Sequence, residues 1–340
     1  MKPELQERYS RQVLFPGIGS AGQERLLASR VAIAGCGATG SALASLLARA
    51  GVGTLRIIDR DYVESSNLQR QALFDESDAA DSLPKAIAAC RNISRFNSQI
   101  IAEPHATDLI SENADSLLGG VHLILDGTDN FETRYLINDW AVKNAIPWIY
   151  VGAVGSYAVT MNVVPGETAC LSCIFPEAPN GVLETCDTAG ILNSAVNLAA
   201  SIAATEALKI LIGSREDLRR TLISHHLWQN ERSEISADKP RPDCRTCGRR
   251  DFVHLAWSAQ QHVTLCGRNS VQIRDHQKEL DLAQVGRRLA SHGSVRQNEF
   301  VLRFCKEPYE MTVFADGRAI IKGTTDPGLA RSFYARYIGS

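Results

Sequence analysis

Four cysteines stand in two pairs, Cys170/Cys173 and Cys244/Cys247. The two-residue spacing lets both thiolates of a pair grip one metal ion, and two pairs complete a tetrahedral S₄ shell, which suits zinc. A redox dithiol is the other chemistry open to such a pair. Two pairs so far apart in sequence favour a shared structural site, one that staples the loop after Pro165 to the polar segment near residue 240. Upstream, Gly35-Cys36-Gly37-Ala38-Thr39-Gly40 closes a short apolar run, and Asp59 lies 19 residues after Gly40. In such a loop Gly35 permits a tight turn, Gly37 lets the backbone approach a phosphate, and Gly40 allows close helix packing. Asp59 is spaced to accept ribose hydroxyls.

The loop alone suits a nicotinamide or flavin cofactor equally well. Three clusters favour ATP. Asn67-Leu68-Gln69-Arg70-Gln71 follows the acids Asp59 and Asp61, and an arginine there can clamp a triphosphate bidentately. Lys85 opens a helical stretch as a point charge for the β- and γ-phosphates. Asp126 and Asp129 flank a strand end, where carboxylates can hold Mg²⁺ together with phosphates. Each has a structural alternative: an Arg70–Asp75 pair, a solvated Lys85, an Asp129-Asn130 helix cap. Together they fit Mg-ATP better than hydride transfer.

These residues need elements to hold them. Val31–Gly35 and Leu55–Asp59 read as buried strands around a helix from about Ser41 to Arg49, the opening of a doubly wound sheet. Pro84–Asn97 and Thr133–Asn144 read as helices. Val121–Asp126, Pro147–Val151 and Tyr157–Val164 read as strands. Residues 166–190 read as loop, and Ile191–Leu211 as a strong apolar helix. Residues 1–30 read as helical, with Arg8 to Gln12 exposed by its polarity. After about residue 255 the texture changes to short strands, with Asp316-Gly317 as a hairpin signal before Arg318–Lys322, and a closing helix at Pro327–Tyr337. The expected fold is α/β, a Rossmann-like doubly wound sheet over residues 1–254 that carries the Cys₄ zinc site, with a small α+β appendage over 255–340.

The bulk numbers exclude some classes. A net charge of −2 gives no bulk argument for nucleic acid or an anionic membrane. No apolar run is expected to reach membrane-spanning length, and no signal-peptide core opens the chain, so a cytoplasmic enzyme is expected. In a reducing cytosol the nine cysteines are expected as ligands, nucleophiles or buried fillers rather than disulfides. Cys90, Cys266 and Cys305 sit on apolar patterns and are expected to be buried, as is Cys36 within the glycine loop. Trp140, Trp148, Trp228 and Trp257 read as core or interface.

Taken in order, Arg8-Tyr9-Ser10-Arg11-Gln12, the glycine loop, Ile57-Ile58-Asp59-Arg60-Asp61, Asn67 to Gln71, Lys85, Asp126 to Asn130 and the two cysteine pairs resemble the ThiF/MoeB/HesA adenylyltransferases, relatives of ubiquitin-activating enzymes. The resemblance runs through about residue 250, and the tail resembles the longer Bacillus-type members. It implies that ATP adenylates the C-terminal Gly-Gly carboxylate of a small ubiquitin-like sulfur carrier and releases pyrophosphate. It implies that Asp59 holds the ribose, with Asp61 beside it, that Asn67, Arg70 and Lys85 contact phosphates, that Gln71 lines the site and that Asp129 binds Mg²⁺. It implies that Arg11 reaches into the neighbouring subunit of a homodimer, that Cys186 is a candidate for a covalent link to the carrier, and that a separate protein such as a cysteine desulfurase supplies sulfur. A ThiS-like carrier of thiamine thiazole synthesis is favoured over a MoaD-like carrier of molybdopterin synthesis. A non-catalytic scaffold for a ubiquitin-like partner and an NAD-dependent dehydrogenase are the rival readings.

Overall fold

The structure, a computed structural model, describes residues 3–177, 189–256, 262–265, 269–273 and 280–339. The chain divides into two compact units: residues 1–80 with 85–257, and residues 81–84 with 258–340.

The first unit is built on an eight-stranded sheet. Its strands are β1 (Arg30–Ala34), β2 (Thr54–Ile58), β3 (Ile101–His105), β4 (Leu123–Asp126), β5 (Trp148–Val154), β6 (Tyr157–Val163), β7 (Thr221–His226) and β8 (Glu231–Ser236), in the order β3-β2-β1-β4-β5-β6-β7-β8. The first five pair in parallel; β6, β7 and β8 add antiparallel ribbons. Four helices matter for the site: α1 (Ala38–Ala50), α2 (Lys85–Phe96), α3 (Phe131–Asn144) and α4 (Asn193–Ile212). The central parallel strands β1 and β4 are near-continuous apolar runs, buried almost end to end because helices cover the sheet. β8 is the opposite case, an edge strand exposed along its whole length and carrying Glu231, Arg232 and Glu234.

Two expectations need correction here. Helix α4 is long and apolar enough to cross a membrane on length and composition, contrary to the sequence reading. In the structure it packs on β5, β6 and α1. Ala195, Ala199, Ala203 and Ala207 are buried, while Asn193, Asn197, Ser201 and Thr205 form an exposed polar stripe at four-residue spacing. At the N-terminus Tyr9 is buried rather than exposed, because its hydroxyl accepts from Asn97 Nδ2 at 2.9 Å and its ring fills the space beside Gly51.

The second unit holds β9 (His262–Leu265), β10 (Ser270–Ile273), β11 (Ser294–Gln297), β12 (Val301–Lys306), β13 (Tyr309–Phe314) and β14 (Ala319–Lys322), an antiparallel sheet ordered β11-β12-β13-β14-β10-β9. Helices α5 (Leu282–Leu289) and α6 (Pro327–Tyr337) supply residues to its apolar core. Each is capped by an aspartate side chain, Asp281 and Asp326. The hairpin at Asp316-Gly317 is present, with Gly317 at φ +85°.

Candidate active site

The loop after β1 and the loop after β4 meet at the point where the strand order reverses, the usual ligand crevice of such sheets. Their closeness depends on glycine. Gly35 has φ +85°, and a Cβ there would lie 2.6 Å from Gly127 O. A Cβ at Gly40 would lie 1.9 Å from Gly35 O. Gly37 instead opens on space, with Gln71 Nε2 the nearest atom at 4.0 Å. Gln71 is 2% exposed, and its Oε1 has no hydrogen-bond partner among the described residues. A buried acceptor left open beside a phosphate-type loop suits a ligand donor.

Asp59 directly follows β2 and is buried. Its Oδ2 accepts from Cys36 N–H at 2.6 Å and its Oδ1 from Asp61 N–H at 2.7 Å. Each oxygen keeps a second lone pair for a ribose hydroxyl. Burial raises its pKa, and the nearby Lys85 charge works the other way. Lys85 is not the solvated cation of the structural alternative: it is 2% exposed, and its Nζ lies 3.2 Å from Asp61 Oδ2.

Asn67 is buried, and its Oδ1 accepts from Glu64 N–H at 3.1 Å. That bond shapes the turn that carries Arg70. Arg70 is half-exposed and donates to Ser66 O at 3.0 Å, while Asp75 faces Arg95 at 3.7 Å. The suggested Arg70–Asp75 pair is therefore not the one formed.

The two acids after β4 separate. Asp126 is fully buried and committed: Oδ1 accepts from Thr128 N–H at 2.8 Å and from its hydroxyl at 2.6 Å, and Oδ2 from Arg134 Nε at 2.9 Å. The metal role suggested for Asp126 does not fit these bonds. Asp129 is exposed, and Asn130 caps α3 by accepting from Thr133 N–H at 2.9 Å. An exposed carboxylate can serve Mg²⁺, which takes one or two protein oxygens and completes its shell with phosphate and water.

Arg11 is exposed on the short helix Ser10–Val13. Its neighbour Gln12 donates to Ala50 O at 2.8 Å, which ties this segment to the C-terminal end of α1. The glycine loop is at the other end of α1, 13 residues long or about 20 Å. Within one chain Arg11 is not brought to the loop. Leu14 and Phe15 beside it are 72% and 62% exposed. Cys186 lies outside the described residues.

The sequence reading passed over Arg60, Asp108 and Arg134. Arg134 is buried under Tyr150 and Phe131, with its charged carbon 5.0 and 5.2 Å from the two ring centres, and it also donates to Thr128 O at 2.7 Å. Burial opposes its charge, but Asp126 more than offsets this, so its pKa is raised. Arg60 Nη1 meets Asp108 Oδ1 at 3.1 Å. Their signal in sequence was only a basic residue one turn into a helix and another between two acids.

The four paired cysteines come together: their sulfurs lie within 4.8 Å of one another. Cys170–Cys173, Cys170–Cys244 and Cys173–Cys247 sulfur distances are 3.8, 3.6 and 3.3 Å. A tetrahedral zinc with bonds near 2.3 Å requires about 3.8 Å. Hydrogen bonding to Cys170 lowers the Cys173 pKa to about 7, and Cys170 itself is pushed up. Helix α3 fastens both cysteine loops. Asn138 Oδ1 accepts from Leu171 N–H at 2.9 Å; Asp139 accepts from the Thr246 hydroxyl at 2.8 Å and from His254 N–H at 3.0 Å. Ser172 and Thr246 close the network at 3.1 Å. Of the other cysteines, Cys36 is buried, Cys90 and Cys305 are only partly so, and Cys266 is outside the described residues. Trp140 and Trp148 are core, Trp228 is 77% exposed, and Trp257 is outside the described residues.

A doubly wound sheet with a phosphate-type glycine loop and buried carboxylates at the strand ends, joined to a four-sulfur cluster that could hold a metal ion, defines a mononucleotide-binding class. The chain belongs to the ThiF family, whose model matches residues 9–246. It is 45% identical over 336 residues to the protein named sulfur carrier protein ThiS adenylyltransferase of Bacillus subtilis (strain 168), covering 98% of this chain and 99% of that one. It is 35% identical over 243 residues to the SAMP-activating enzyme E1 of Haloferax volcanii, covering 71% and 88%. The crystal structure of E. coli MccB with ATP matches it with a TM-score of 0.62 at 25% identity, over 73% of this chain and 76% of that one.

Proposed function

We propose that this protein uses Mg-ATP to adenylate the C-terminal glycine carboxylate of a small ubiquitin-like, ThiS-like sulfur carrier for thiamine thiazole synthesis. The observation that carries the reading is the end-to-end similarity to a ThiS adenylyltransferase. In the reaction a carrier carboxylate oxygen bonds to the α-phosphorus, and the bond from that phosphorus to the leaving pyrophosphate breaks. Charge builds on phosphate oxygens, so positioning and cations suffice and no protein nucleophile is required. Gly35, Gly37 and Gly40 form the phosphate loop, Asp59 takes the ribose, and Gln71 offers its open oxygen beside the loop. Asn67, Arg70 and Lys85 contact the phosphates, with Asp61 as the buried partner of Lys85. Asp129 would hold Mg²⁺, which screens the phosphate charge when bound.

Arg11 completes the site of a second copy in a homodimer. Its distance from its own glycine loop and the exposed Leu14 and Phe15 beside it support that arrangement. The four cysteines hold a structural zinc. Residues 1–254 carry the reaction, a separate cysteine desulfurase is the sulfur source, and Cys186 is the candidate for a covalent link to the carrier. The test is ATP–pyrophosphate exchange with purified protein, Mg²⁺ and, separately, a ThiS-like and a MoaD-like carrier. Exchange with the ThiS-like carrier is expected. Exchange only with the other moves the protein to molybdopterin synthesis, and none with either contradicts the reading.

A further inference from the structure

The chain enters the second unit twice. Residues 81–84 are part of that unit together with 258–340, although the residues on either side of them belong to the first. The residue that follows this short segment is Lys85, which opens α2.

Alternation along the second sheet supplies the groups that hold the segment. Leu302 and Phe304 of β12 and Met311 and Val313 of β13 belong to the apolar core, so Arg303 and Glu310 lie on the other face. Arg303 Nη2 donates to Glu310 Oε1 at 2.7 Å, and Nη1 donates to the Ser82 hydroxyl at 3.2 Å. Asn298, in the turn between β11 and β12, is used at both ends of its amide. Its Oδ1 accepts from Phe300 N–H and Val301 N–H, each at 2.8 Å, and its Nδ2 donates to Asp81 O. Ser82 has φ +48°, in the left-handed region that a residue with a Cβ enters at a cost. Such a conformation persists where its surroundings impose it, and Asn298 and Arg303 grip the chain at and just before it.

Only Leu83 and Pro84 stand between this clasp and Lys85. Proline fixes its own φ and restricts the residue before it, so the connection is short and stiff. At its far end Lys85 N–H donates to Asp61 O at 2.8 Å, and Lys85 Nζ meets Asp61 Oδ2 at 3.2 Å. A cation that serves phosphate does so by position, and a misplacement of about 1 Å is costly.

We infer that the second unit positions Lys85 for the phosphates of ATP, with Asn298 and Arg303 as positioning residues that act through the 81–84 segment; this rests on the adenylation reading above. The second unit then takes no part in the chemistry itself.

The test is calorimetric binding of ATP, of inorganic tripolyphosphate and of adenosine, each with Mg²⁺, to the wild-type chain, Asn298→Asp and Ser82→Ala. Asn298→Asp keeps the oxygen that shapes its own turn and loses the donor to Asp81. Ser82→Ala removes the acceptor for Arg303. Each is expected to weaken ATP and tripolyphosphate about fivefold, the scale of one hydrogen bond, and to leave adenosine unchanged. Either variant carries the test if the other does not fold. In a Lys85→Met/Asp61→Asn background, Asn298→Asp is expected to cost no further ATP affinity, because the residue it positions is gone. Unchanged ATP and tripolyphosphate binding overturns the inference. So does an equal loss for adenosine, which marks a general loosening, or the same further loss without Lys85. A wild-type chain that binds no ATP overturns the adenylation reading, and this inference with it.

Discussion

At the scale of single residues the site is an arrangement of buried charges, and their pairing decides what each can do. Lys85 and Asp61 are both nearly inaccessible, and each is costly to bury without a counter-charge. Lys85→Met should therefore lower stability by about 3 kcal/mol, because it strands the Asp61 carboxylate. Adding Asp61→Asn should recover most of that loss in denaturant unfolding while ATP affinity stays low. A Lys85→Met variant of wild-type stability would show that the pair carries no energy. This pairing was not legible in the sequence. The glycine loop and Asp59 were, because their spacing lies within one strand–helix–strand unit. Which base meets which acid is set by segments far apart, so Asp126 was read as facing metal and the Asp61 partner of Lys85 went unseen. Asp126 instead meets Arg134 eight positions along, on helix α3. Arg60 was hidden for the same reason, since its partner Asp108 comes from another loop.

At the scale of elements, helix α3 links the two halves of the molecule's chemistry. Its first turn carries the Asn130 cap beside Asp129, and two turns on Asn138 and Asp139 hold the cysteine loops. The cysteine cluster and the nucleotide edge are thus mounted on one helix. Cys247→Ser should lower metal content and the thermal midpoint together, with activity falling only as the fold loosens. Full metal content with an unchanged midpoint, measured by metal analysis and calorimetry, would sink the structural role. The cysteine pairs could be read from spacing alone, but their fastening could not, because Asp139 sits in a helix with no local sign of a polar partner. Strand β3 was missed for a local reason. Pro104 reads against a strand, and an edge strand tolerates it. Strand β11 and helix α5 were also passed over, being short and polar on one side.

At the scale of the whole molecule, the account requires two copies to build one site. In the proposed homodimer Arg11 comes from one chain and Asp129 from the other. Arg11→Ala and Asp129→Ala should each be nearly inactive and folded. Mixed after unfolding and refolding together, they should regain activity, because one of the two sites in a mixed dimer has both residues. No recovery, with mixed dimers demonstrated by native mass spectrometry, would place Arg11 outside the site. The measurement closest to the central claim is the intact mass of a ThiS-like carrier incubated with this protein, ATP and Mg²⁺. A gain of one adenylyl group, absent from a carrier lacking its terminal glycine and from the Asp129→Ala reaction, is the predicted result. A carrier of unchanged mass, with the protein folded and ATP bound, would contradict it.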